Sequence, residues 1–213
     1  WKFNLGDVFA ARNPEFNDAS WRVLNLPHDW NIELPYDVKW ASSTGYLPSG
    51  IGWYRKSFVV PDSYKDKIIS ILFDGVYNNS DVWINGHHLG KRPSGYTSFQ
   101  YDLTSYLLPG KTNVIAVRVD HSLFADSRWY TGSGIYRHVW LNVTDKVHVA
   151  QWGTFITTPA ITKEKATVSV ENTIANTSGK SQNLEILSVV LDRNEKEISK
   201  DKQVKTLAPG ESI

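Results

Sequence analysis

Apolar and polar residues alternate with a period of two along most of the chain, and the helical period of 3.6 is almost absent. "GWYRKSFVVP" (52–61), "KIISILFDGV" (67–76), "SDVWINGHHLG" (80–90), "NVIAVRVDHS" (113–122) and "RHVWLNVTD" (137–145) are rich in Val, Ile, Trp and Tyr. Pro, Gly, Asn and Asp bound them, so they read as strands. In "INGHHLG", Asn85 and Gly86 stand between alternating flanks, the signature of a two-residue type I′ hairpin. Pro109 and Gly110 predict a type II turn. One short helix is expected, in "DLTSYLLPG", capped by Asp102 or Thr104. In "GWYRKSF", Trp53, Arg55 and Ser57 share one strand face and Tyr54, Lys56 and Phe58 the other, which makes one face mixed. Trp83 is expected in the core. Residues 1–147 therefore read as an all-β sandwich of jelly-roll type.

The texture changes near residue 147: beyond Trp152 there is no Trp or Tyr, and Lys, Glu, Thr, Ser and Asn dominate. "ATVSVENTIAN" (166–176), "NLEILSVVLDRN" (183–194) and "KQVKTLAPGES" (202–212) read as strands separated by "TSGKSQ" and "NEKEISKD". An immunoglobulin-like sandwich has this texture, but it uses about seven strands in about 100 residues. Residues 148–213 are accordingly expected to be part of such a domain, truncated before its end.

Charge and composition narrow the function. Lys plus Arg number 23 against 22 for Asp plus Glu, so nothing draws the chain to nucleic acid or to an acidic membrane. The absence of cysteine excludes disulfides, thiolate nucleophiles and Cys-based metal sites. No run approaches the roughly 18 apolar residues of a membrane helix, and no signal-type apolar region is visible. The chain begins at Trp1 and contains no Met, as expected of a processed piece of something longer. Removal of an export signal would make it periplasmic or secreted, with the cytoplasm left open. Nine Trp and ten Tyr are many, and such rings stack on sugars and fill clefts.

No phosphate-binding loop, dinucleotide fingerprint or His-Glu-x-x-His is present. His87 and His88 are adjacent and face opposite ways on a strand, so they cannot chelate together, and no metal site is expected. Glycosidases use two carboxylates about 5 Å or about 6.5–9.5 Å apart. Most acids of the first domain, such as Asp74, Asp81 and Asp102, have structural readings as strand-end or capping residues. Asp126 differs, because it directly precedes "SRWYTGSG" (127–134), the start of the aromatic stretch "RWYTGSGIYR" (128–137). Carboxylates and guanidiniums bind vicinal sugar hydroxyls with charged hydrogen bonds, while aromatic rings stack on the C–H face. Asp126, Arg128, Trp129 and Tyr130 bring those groups together within five positions. From the residues alone, closure of the sandwich end by the same aromatics is an equal reading.

Five segments taken in order resemble the N-terminal sugar-binding domain of glycoside hydrolase family 2. They are "LPHDW" (26–30), "GIGWYRKSFVVP" (50–61), "LFDGVYNNSDVWINGHHLG" (72–90), "GYTSFQYDLTSYLLPGKTNVIAVRVDHS" (95–122) and "SRWYTGSGIYRHVWL" (127–141). "RWYTGSGIYR" is most similar to the family's β-galactosidases; β-glucuronidases and β-mannosidases are alternatives. The resemblance covers residues 1–147 and implies a galactose-binding-domain-like jelly roll followed by an immunoglobulin-like domain.

It also implies what lies elsewhere. The family's two catalytic glutamates, which act by a retaining mechanism, belong to a TIM barrel of about 250 residues. No catalytic residue is therefore expected here, and this fragment alone should be inactive. The jelly roll instead lends residues to the sugar subsite of an exo-glycosidase acting on a β-linked galactoside. Asp126 is the candidate acid, with Arg128, Trp129 and Tyr130 beside it. Asp37 or Asn31, in the loop after "LPHDW", is a further candidate. The "LPHDW" motif itself is read as a packed corner. No cofactor is implied, and a homo-oligomer is left open. A free carbohydrate-binding module and a purely structural domain are the competing readings.

Overall fold

Ile115, Val117 and Val119 alternate along one strand and are all buried, as the period-two reading requires. A computed structural model describes residues 1–42, 45–123 and 130–213, and the chain forms two compact units, Trp1–Val143 and Thr144–Ile213. In the first unit the strands are β1 (Lys2–Leu5), β2 (Arg22–Val23), β3 (Gly50–Val59), β4 (Ile68–Phe73), β5 (Ser80–Ile84), β6 (His87–Arg92), β7 (Phe99–Asp102), β8 (Thr112–His121) and β9 (Val139–Thr144). One sheet runs β2-β1-β3-β8-β5-β6 and the other β7-β4-β9. The architecture is all-β, with the main core gathered from both sheets: Tyr54, Val82, Ile84 and Val117 from the larger, Ile69, Ile71, Phe73 and Phe99 from the smaller.

The outer face of the larger sheet carries a second cluster of Ala11, Trp21, Trp53, Trp83 and Ala116. Trp83 thus enters this second core, stacked on Trp53 with ring centroids 5.3 Å apart. The segment before β2 supplies the cover, and Arg55 holds it. That side chain is 2% exposed and places Nε 2.8 Å from Asp18. Its terminal nitrogens donate to the carbonyls of Ala11, Asn13, Pro14 and Phe16. The face of Trp53, Arg55 and Ser57 is therefore buried at its first two positions, where a series of carbonyl acceptors satisfies the guanidinium, and exposed at Ser57.

Local turn chemistry matches the sequence closely. Asn85 and Gly86 take φ of 49° and 83° between the paired residues Ile84 and His87. Gly110 has φ of 69°, and the Lys111 amide donates to Leu108 O. The expected helix in "DLTSYLLPG" is instead a single turn after β7. Asp102 Oδ1 accepts from the Thr104 amide and the Leu107 amide reaches Leu103 O, but "PG" two residues later leaves no room to propagate. Short 3₁₀ turns lie at Phe9–Arg12, Asn31–Glu33 and Asp62–Tyr64.

The second unit comprises β10 (Val147–Ile161), β11 (Ala166–Asn176), β12 (Gln182–Leu191) and β13 (Glu197–Leu207), paired as the antiparallel hairpins β10-β11 and β12-β13. Residues 197–201, expected in a loop, belong to β13, because cross-strand pairing to Val189, Val190 and their neighbours outweighs their polar character. Strand β10 carries no clean alternation and is interrupted by irregular register near Val149 and Thr157, which hid it from the sequence pattern. Asn176 lies within a glycosylation triplet, but it is 1% exposed and donates to Lys180 O, Leu207 O and Ala208 O. In the folded chain it is a structural amide and no acceptor for a glycan.

Candidate functional site

"LPHDW" and "TGSGI" are far apart in sequence and meet at one end of the first unit. The His28 amide donates to Ile135 O at 2.8 Å and the Trp30 amide to Ser133 O at 3.2 Å. On its other side, Gly134 exchanges two hydrogen bonds with Tyr77, of 2.8 and 2.9 Å. Residues 133–135 are thus held between two neighbours like a short strand. The regular strand itself begins at Val139, so Ile135 and Tyr136 precede it, although Ile135 is fully buried.

Asp29 lies at the centre of this junction. Its Oδ1 accepts from the Asn31 amide at 3.0 Å and from the Ser133 amide at 2.9 Å, and the Tyr130 hydroxyl donates to Oδ2. Gly132 has φ of +71°, and a Cβ there would stand 2.5 Å from Asp29 Oδ2. Glycine at this position therefore leaves the space into which the carboxylate reaches. Burial, and then the bond to Asp29, push the Tyr130 phenol well above its ordinary range, so it remains a donor at any physiological pH. The ring stays 42% exposed. Behind it, His121 Nδ1 and Ser133 Oγ are hydrogen-bonded at 2.6 Å, both fully buried.

His28 forms the inner layer. Its Nδ1 lies 2.7 Å from Tyr54 Oη, and Arg22 donates to Nε2 at 2.8 Å. Burial lowers the ring's affinity for a proton more than the nearby Glu33 raises it. A neutral ring fits the contacts: Arg22 can only donate, which leaves the proton on Nδ1. The unfolded chain takes up a proton near pH 6.5 that the folded chain refuses until its lower folded value is reached. The stability from neutral His28 is therefore complete above about pH 6.5 and declines as pH falls through the depressed folded value. A series of melting temperatures from about pH 8 to about pH 5 is expected to bend downward below about 6.5, and His28→Gln to flatten that bend. A flat wild-type profile across the same range would contradict it.

Among the sequence-derived candidates, Tyr130 lies at this junction. Asp126, Arg128 and Trp129 lie outside the described residues. Asp37 is half-buried, and its carboxylate accepts from its own turn at the Lys39 amide and pairs with Lys39 Nζ at 2.9 Å. The Lys39 amide holds that carboxyl below the usual range. Asn31 is fully buried, so a direct surface contact to a ligand is closed to it, and its amide group finds no partner among the described residues. Asp29 was overlooked in the sequence because "HDW" carries no local sign of a partner one hundred residues away.

The model of the glycosyl hydrolases family 2 sugar binding domain matches residues 14–145. The chain belongs to glycosyl hydrolase family 2. This family 2 chain is 45% identical over its whole length to Beta-galactosidase BoGH2A of Bacteroides ovatus, and 44% identical over 88% of its length to a putative beta-glucuronidase of Formosa agariphila. It spans 25% and 18% of those relatives' own lengths. A crystal structure of a family 2 member from Bacteroides cellulosilyticus matches all of the chain, and 28% of its own, with TM-score 0.95 and 39% identity. The chain is thus similar to the N-terminal portion of longer family 2 glycosidases.

Proposed function

We propose that this chain is the non-catalytic N-terminal portion of a retaining exo-glycosidase of β-galactosidase type, and that it supplies one wall of the sugar subsite. In this reading the catalytic glutamates belong to a barrel domain elsewhere in the full-length protein. Asp126, Arg128, Trp129 and Tyr130 are assigned as contacts to the non-reducing sugar, with Asp37 of the loop after "LPHDW" as a further one. The observation that carries the reading is the clamp of Asp29 on Tyr130 and Ser133. It braces the end of an aromatic, arginine-containing segment at the edge of a rigid sandwich, where a binding residue needs fixed support. The similarity to Beta-galactosidase BoGH2A over the whole chain favours a galactoside. A β-glucuronide is the second reading, favoured by the Formosa relative of nearly equal identity.

The test is a substrate panel with the full-length enzyme that carries this chain. 4-Nitrophenyl β-galactoside is expected to exceed the β-glucuronide and β-mannoside in kcat/KM by about tenfold or more, a difference of about 1.4 kcal/mol in transition-state binding. A faster glucuronide would shift the assignment to the second reading. Tight galactose binding by the isolated 213-residue chain would favour a free carbohydrate-binding module instead.

A further inference from the structure

Asp29 stands outside the set of residues just assigned to the sugar, yet Tyr130 of that set donates to it. Its carboxylate binds three donors from two parts of the chain: the Asn31 amide, the Ser133 amide and the Tyr130 hydroxyl. Gly132, between the last two, takes a left-handed φ and leaves room for the carboxylate inside the turn. Ser133 is fixed a second time through its hydroxyl, by His121 at the end of β8. His121 and Ser133 are therefore in direct contact, and Asp29 holds Tyr130 beside them. A residue with that many ordered partners serves geometry, because a carboxylate whose Oδ1 already accepts two amides has little capacity left for a ligand hydroxyl.

We propose that Asp29 is a positioning residue for the sugar subsite: it holds Tyr130 and the Gly132–Ser133 turn, and so fixes the exposed Tyr130 ring that meets the sugar. The inference rests on the reading of Tyr130 as a sugar contact. The geometry predicts a graded response. Alanine at 29 frees Tyr130 and leaves two amides without an acceptor. Asparagine keeps the Oδ1 acceptor for both amides and disturbs only the side that meets Tyr130. Phenylalanine at 130 removes that same contact from the other end.

The experiment uses the full-length enzyme, with kcat and KM measured on the aryl glycoside that the wild type cleaves best. Asp29→Ala is expected to raise KM about tenfold or more, as for loss of a charged hydrogen bond, with kcat within about twofold. Asp29→Asn and Tyr130→Phe are expected to fall between that variant and the wild type. The double variant Asp29→Asn, Tyr130→Phe should match Tyr130→Phe alone, since asparagine then disturbs a contact already gone. A merely structural role would move the melting temperature and leave this KM pattern absent. Additive effects in the double variant, or an unchanged KM in a folded Asp29→Asn protein, overturn the inference. If Asp29→Ala does not fold, the Asn and Phe variants still decide it. Tyr130→Ala, which removes the ring itself, separates the two levels. If it raises KM while the position-29 variants do not, only this inference fails. If it leaves KM unchanged, the subsite reading of Tyr130 fails and takes the inference with it.

Discussion

Arg55→Ala is expected to lower the unfolding free energy of the first unit by about 3–5 kcal/mol, the usual cost of breaking a buried, hydrogen-bonded ion pair from one side. The guanidinium is the common partner of Asp18 and of four backbone carbonyls between Ala11 and Phe16. Its removal takes a donor from all four carbonyls, leaving Asn13 O with only the Phe16 amide, and leaves Asp18 with only Lys2, 2.6 Å away. At Asp18, burial favours the neutral acid, and the bonds from Lys2 and Arg55 overcome it and hold the carboxyl below its usual range. The loss should appear in urea unfolding as a lower midpoint. It should also appear as early proteolysis within residues 7–21, because that segment covers Trp53 and Trp83 and has lost its tether. Arg55→Met, which fills part of the volume, is expected to recover some stability but not the protease resistance. Wild-type resistance in Arg55→Ala would show that aromatic packing alone holds the segment.

Gly134→Ala is expected to cost about 3 kcal/mol or more, because strain and overpacking coincide there. The residue has φ of +120°, and a Cβ would fall onto Tyr54 Oη, within 2.8 Å of the His28 carbonyl oxygen and 3.3 Å from the Trp30 ring. Neither backbone carbonyl nor buried ring can move cheaply, since Trp30 is 1% exposed and stacks on Phe3. Displacing residue 134 also breaks its paired hydrogen bonds with Tyr77 and pulls Ser133 from Asp29. Calorimetry should show a melting temperature several degrees lower. The full-length enzyme should at the same time lose affinity for its glycoside. Gly179→Ala is a useful control: its φ is also positive, but no atom lies within 4 Å of the added Cβ, so only the backbone strain remains. Equal losses at both positions would mean that the contacts around residue 134 contribute nothing.

Much of this architecture was legible from residue order. Val and Ile at alternate positions of "NVIAVRV" and "DVWING" specify strands because a pleated strand puts every second side chain in the main core. Asn85-Gly86 and Pro109-Gly110 specify their turns because those residues adopt the required φ at low cost. These are local constraints, and local sequence contains them. The short helix failed for a reason of length: one turn before Pro109-Gly110 cannot repay helix nucleation. The first five residues of strand β13, 197–201, were missed because they are polar and held by pairing with β12, which no window of their own sequence reveals.

The site divides in the same way. That "RWYTGSGIYR" is polar, aromatic and rich in turn residues could be read directly, and so could its likeness to family 2. Tertiary structure alone decided that Asp29 of "LPHDW" receives Tyr130 and Ser133, that His121 backs Ser133, and that Arg55 serves the N-terminal cover. Each of these pairings joins residues between 12 and 104 positions apart. The chemistry of a carboxylate or guanidinium announces that it needs partners, but only the folded backbone selects which donors and carbonyls come within reach.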